Sequence, residues 1–142
     1  MKYIDLIRTK HLTIAEHNAW AASNFHMMIK QSPFKEYFLN ALMPDVGISI
    51  LIIPAWFNEY DMILLDHLTE ALNNDKIKAN VYVADYFDVK SLEDLSKLIP
   101  GISDPYHTPY IGIWKEGVQV KGLSGYSARQ EILSMIGVKS IV

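Results

Sequence analysis

The stretch Gly47 to Met62, GISILIIPAWFNEYDM, constrains this chain more than any other. Ile48, Ile50, Leu51, Ile52 and Ile53 make a near-continuous apolar run, the pattern of a strand covered on both faces, as in a parallel sheet. Pro54 ends the run. Asn58 is placed to cap a helix, with Glu59 and Asp61 in its first turn, where the helix dipole favours negative charge. Leu64, Leu65, Leu68 and Leu72 then recur at helical spacing. A strand that feeds straight into a helix N-terminus, with large side chains at the junction, is where α/β folds place their sites. The side chains at this junction are not reactive ones, so the fold is more legible here than the chemistry.

The flanking segments extend the pattern. Tyr3, Ile4, Leu6 and Ile7 fit either a short strand or a first helical turn. Thr13 and Glu16 have the spacing of a capping box, ahead of a helix with Ile14, Ala21, Phe25 and Met28 along one face. Ser32-Pro33 opens a second helix, with proline at the favoured first position. Its stripe is Phe34, Tyr37, Phe38, Ala41 and Leu42, and Pro44 and Gly47 close it. Residues 33 to 43 are expected to pack on the sheet.

Downstream, the helix from about Glu59 ends near Asn73-Asn74-Asp75, and Ala79 to Ala84 reads as a strand rich in β-branched and aromatic residues. Ser91 with Asp94 caps a short helix that buries Leu92, Leu95 and Ile99, and Pro100-Gly101 stops it. Tyr110 to Trp114 and Val118 to Leu123 form an antiparallel hairpin about Lys115-Glu116-Gly117. Gly125 breaks the second strand. Ser127, with Gln130, caps a last helix that faces inward through Ile132, Leu133 and Ile136. The expected order is helix, helix, strand, helix, strand, helix, strand, strand, helix.

Composition removes several chemistries. The 142 residues include no cysteine, which excludes disulfides, thiolate metal sites and thiol nucleophiles. A net charge of -3 gives no basic excess, so no nucleic-acid partner is expected. No apolar run is long enough to span a bilayer, and no membrane partner is expected. Asp5, Arg8 and Lys10 fall where a signal peptide needs an apolar core, which points to the cytoplasm. His11, His17, His26, His67 and His107 are scattered without a ligand spacing, and neither a metal nor a cofactor is expected. Glu59 and Asp61 are explained by the helix dipole.

Trp56-Phe57-Asn58-Glu59-Tyr60-Asp61-Met62 lies where thioredoxins carry Trp-Cys-Gly-Pro-Cys-Lys-Met. Trp56 and Met62 match, and Phe57 and Tyr60 stand in place of the cysteines. Thr108-Pro109 resembles the family's cis-proline, Lys115-Glu116-Gly117 its hairpin turn, and Gly125 the glycine before its last helix. From residue 47 onward the chain is similar to the thioredoxin-like superfamily, without the CxxC cysteines. The resemblance implies an α/β thioredoxin-like fold, a central mixed sheet flanked by helices. Length and the lack of an internal repeat or linker point to one domain over residues 1–142, with 1–46 as an N-terminal helical extension outside the resemblance and 47–142 as the thioredoxin-like core. The family buries an acidic residue in the strand before its active site; the matching position here is Leu51, so the proton acceptor is missing with the thiols.

The implied site is a groove of Trp56, Phe57, Asn58, Glu59, Tyr60, His107, Thr108 and Pro109. The first functional reading is a redox-inactive module that binds a protein or peptide, as an adaptor, chaperone or assembly factor. The alternative is a non-thiol enzyme that binds glutathione or a similar small molecule beside the cis-proline. A structural subunit is a third reading, and the first helix leaves a homodimer open. Aromatic residues at helical spacing also fit plain core filling.

Overall fold

Alternation along one strand sets the architecture. In a computed structural model, residues 2–28, 46–84, 86, 89, 92–102, 104 and 106–137 are described. Strand β2 (Ile48–Ile53) sends Ile50 and Ile52 to one face and Leu51 and Ile53 to the other, and all four are buried. Among the described residues, five strands lie in the order β1-β3-β2-β4-β5. Strands β1 (His26–Met28) and β3 (Asn80–Ala84) are parallel, as are β3 and β2. Strand β4 (Tyr110–Lys115) runs antiparallel to both β2 and β5 (Val118–Ser124). Glu116 and Gly117, with φ of 52° and 81°, make the tight turn between β4 and β5.

One face of the sheet is covered by α1 (Tyr3–Thr9), α2 (Ile14–Asn24), α3 (Glu59–Asn73) and α5 (Gly125–Met135). Leu64, Leu65, Leu68, Ile132 and Leu133 share a core there with Ile50, Ile52, Ile111 and Ile113. Tyr3, Ile4, Leu12, Ala21 and Phe25 belong to the same core, so the N-terminal helices are part of the packing. Helix α4 (Leu92–Leu98) covers the opposite face, where Leu95, Leu98 and Ile99 meet Leu51, Ile53, Tyr110 and Trp114.

The N-terminal elements resolve one open expectation, in favour of a helix at Tyr3–Thr9, and differ from two others. Residues 3–9 are a helix whose N-cap, Lys2, makes no side-chain cap bond; Asp66 on α3 serves instead, accepting from the Tyr3 and Ile4 amides at 2.9 Å each. The Thr13-Glu16 capping box is present, but α2 ends at Asn24 and its buried residues are His17 and Ala21, while Ile14 is 46% exposed. His26–Met28, expected at the end of that helix, is the edge strand β1, so the N-terminal segment is not purely helical.

Two later details also change. Leu92 is exposed, and α4 buries Leu95 and Leu98 instead. Helix α5 begins at Gly125, not after Ser127; Ser124 is its N-cap and gives no side-chain cap bond. The turn is made by Gly125 itself, with φ of 60° and its amide donating to Pro109 O at 3.0 Å, which starts the helix early. The expected helix from Ser32-Pro33 and the Ser91-Asp94 cap lie outside the described residues and side chains.

Candidate functional site

Three segments meet at the C-terminal end of β2. The first is the corner into α3. Asn58 caps it, its Oδ1 accepting the Tyr60 amide at 2.9 Å. Beside it, Phe57 is 72% and Tyr60 50% exposed. The second is the loop before β4, where the Thr108-Pro109 peptide is cis and Pro109 is buried. The third is the start of α5, joined to that loop by the Gly125 amide. A Cβ on Gly125 would lie 3.0 Å from the His107 Cβ, so His107 packs directly over this glycine.

These segments enclose an open cleft of about 560 Å³. Phe57, Asn58, Tyr60, His107 and Thr108 line it, together with Tyr86, Asp104, Tyr106, Tyr126 and Arg129. Tyr106 and Tyr126 are 87% and 68% exposed. Phe57 meets Tyr86 edge to face at 5.7 Å, and Tyr86 stacks towards the buried Tyr110 at 6.5 Å. Burial pushes the Tyr110 phenol up to about 12. At the mouth, Asp104 accepts the Tyr106 amide at 2.9 Å and lies 2.7 Å from His107 Nδ1, contacts that hold its carboxyl below the usual range.

Arg129 lines the cleft, and Asp61 is buried behind it. Asp61 is completely buried, and its Oδ2 accepts the Ala55 amide at 3.0 Å. Its Oδ1 makes no hydrogen bond; Arg129 Nη1 is 3.7 Å away. Desolvation raises the Asp61 pKa, against the Ala55 amide, the Thr108 side chain and the Arg129 charge, which act the other way. The Thr108 hydroxyl thus favours the carboxylate electrostatically without completing a bond of ordinary geometry to Oδ1. Arg129 Nη1 also donates to Thr108 O at 3.2 Å, and its guanidinium lies over the Tyr60 ring, 5.6 Å from the centroid.

The expected groove therefore divides. Trp56 is buried at 4% exposure and stacks on His17 with centroids 5.2 Å apart. Glu59 pairs with Arg8 at 3.0 Å, and that hydrogen bond lowers its pKa. Both residues line a second cleft of about 500 Å³, formed with the α1–α2 junction, and Phe57 stands between the two clefts. Pro109 lies beneath the first cleft rather than on its surface. Asp61 corrects the dipole explanation, and it puts a buried carboxyl under the corner, from α3 rather than from the strand. Leu51 faces the opposite core.

Tyr86, Tyr126 and Arg129 were not singled out by sequence reasoning. Asp61 left a signal, because it shares a helical face with Leu64, Leu65 and Leu68. Arg129 left a fainter one: a cation close to the start of a helix with no acidic residue in its first turn.

No family model matches the chain, and no curated protein does. Solved structures do. A chain from a structural study of the thiol-resolving mechanism in yeast mitochondrial 1-Cys peroxiredoxin via glutathione/thioredoxin systems aligns with a TM-score of 0.50 and 14% identity. The alignment covers 79% of this chain and 96% of that one. The fold is thioredoxin-like. Oxidised thioredoxin from Plasmodium falciparum aligns with a TM-score of 0.49 and 14% identity, over 78% of this chain and 96% of that one. On this thioredoxin-like frame the corner carries Phe57 and Tyr60, and the chain has no thiol to exchange. Among the described residues, no helix is long and apolar enough to cross a membrane.

Proposed function

We propose that this chain is a redox-inactive binding module that holds a protein or peptide partner in the cleft between the α3 corner, the Thr108-Pro109 loop and the start of α5. The observation that carries this reading is the convergence of four exposed rings, Phe57, Tyr60, Tyr106 and Tyr126, on one open cleft. Exposed aromatic side chains offer large contact area at low entropic cost and dominate recognition hot spots. Core filling does not account for rings that stand in solvent. The enzyme reading has less support: the Asp104-His107 pair is largely exposed, and the cationic anchor Arg129 is already engaged by Thr108 O.

A random peptide library displayed on phage tests the proposal. Panning on the full chain should enrich binders that fail on a Phe57→Ala/Tyr126→Ala double variant. No enrichment, or enriched peptides that bind the double variant equally well, would contradict it.

A further inference from the structure

This inference rests on the binding reading and extends its footprint. We propose that the protein or peptide partner straddles Phe57, setting an uncharged apolar side chain into the α1–α2 cleft while its adjoining segment lies in the aromatic one.

Phe57 is the shared wall: it is exposed and lines both clefts. Ile14, the first residue of α2, is exposed in the α1–α2 cleft, and Tyr60, Tyr106 and Tyr126 are exposed in the other. Of the exposed large apolar side chains among the described residues, only Val46, Leu92, Val118 and Val120 lie outside the two clefts. The exposed apolar surface is thus gathered about Phe57. Gathering of that kind marks an interaction surface, whereas single scattered apolar residues do not. Because the clefts share a wall, one partner chain can enter both, and its second contact is then intramolecular.

The lining of the α1–α2 cleft selects what enters it. Ile7, Leu12, Ile14, Trp56 and Phe57 form its apolar part. Its charged side chains are matched within the protein, Glu59 by Arg8 at 3.0 Å and Lys10 by Glu16 at 3.4 Å. The Thr13 hydroxyl is engaged by Glu16, and His17 is stacked on Trp56 and joined to the Tyr3 hydroxyl. His11, the remaining polar side chain of the lining, is exposed to water. A charged occupant has to break one of these pairs or lose water without a matching charge, and an apolar one does neither.

The test titrates peptides enriched from the phage library into the full chain by fluorescence anisotropy, with Ile14→Asp and Tyr126→Ala as variants. Ile14 is exposed and opens α2, where the helix dipole favours a negative charge, so the fold should be kept. Circular dichroism checks this, and Ile14→Ser repeats the test without a new charge. Ile14→Asp and Tyr126→Ala should each weaken binding about tenfold. In an alanine scan of the peptide, one apolar residue should matter for the wild type and lose its effect on Ile14→Asp. Peptides that need Tyr126 but ignore both Ile14 substitutions overturn the straddling and leave the aromatic cleft a binding site. A charged residue as the Ile14-dependent anchor overturns it too, as does self-association of the free chain that Ile14→Asp abolishes. No enriched peptide, or peptides that ignore Tyr126, overturn it together with the binding reading.

Discussion

Arg129 Nη1 donates to the carbonyl oxygen of Thr108 at 3.2 Å, tying the last helix to the loop that carries the cis peptide. The guanidinium also stands 3.7 Å from the buried Asp61 and over the ring of Tyr60. One side chain thus holds together the three segments that build the cleft. Hydrogen bonds from charged groups contribute about 1.5–3 kcal/mol, and Arg129→Ala should destabilise the protein by about that much in urea unfolding at neutral pH. Lysine keeps the charge but not the planar fork, so Arg129→Lys should recover only part of the loss. An Arg129→Ala variant as stable as the wild type would show that the contact is incidental.

Asp61 gives the pH dependence a definite sign. Its folded pKa is raised above the ordinary 3.8, chiefly by desolvation, so between the two values the folded state binds more protons than the unfolded one. Stability from this group is therefore highest below 3.8 and falls as pH rises through the folded pKa. An asparagine side chain at this position cannot ionise. The unfolding midpoint of Asp61→Asn, measured against wild type across pH, should improve relative to wild type as pH rises from about 4 to neutrality. A difference that is constant with pH, or runs the other way, would show that the buried Asp61 carboxyl is not destabilised by its ionisation.

Gly125 is fixed by two demands, a φ of 60° and the closeness of His107. An L-residue in the left-handed region costs roughly 1–2 kcal/mol, and a new methyl would press on the His107 Cβ. Gly125→Ala should lower stability by at least about that amount in thermal or urea unfolding. It should also shift the His107 resonances. An alanine variant with unchanged stability would contradict the account of how α5 starts.

Asp66 ties α1 to α3 through the Tyr3 and Ile4 amides. Removing a capping acceptor costs about 0.5–2 kcal/mol, so Asp66→Ala should weaken the protein by that order. Amide exchange over residues 3–9 should speed up selectively. Unchanged exchange there would mean that α1 is held by its apolar contacts alone.

The parts that sequence patterns expressed were local ones. β2, the Asn58 cap, α3 and the β4–β5 hairpin each carry their periodicity and punctuation within a few residues. His26–Met28 is three residues long and has no room to alternate; its strand identity comes from pairing with β3, far along the chain. The divided groove was hidden for the same reason. Trp56 is withdrawn from the surface by stacking on His17 of α2, a partner that no local pattern announces. Asp61 showed its inward spacing, but its burial depends on Arg129 and the Thr108 loop arriving from the other end of the sequence. The exposure of Phe57 and Tyr60 could not be read from residue type, because aromatic side chains at helical spacing serve cores and surfaces alike.

Partner binding in the aromatic cleft is tested most directly by a heteronuclear NMR titration of the labelled chain with a peptide enriched from the phage library. Shifted amides should cluster at Phe57 to Tyr60, Tyr106 to Thr108 and Gly125 to Arg129. Shifts confined to the α1–α2 cleft around Ile14, or to the β5 edge around Val118 and Val120, with those residues unmoved, would contradict binding in the cleft.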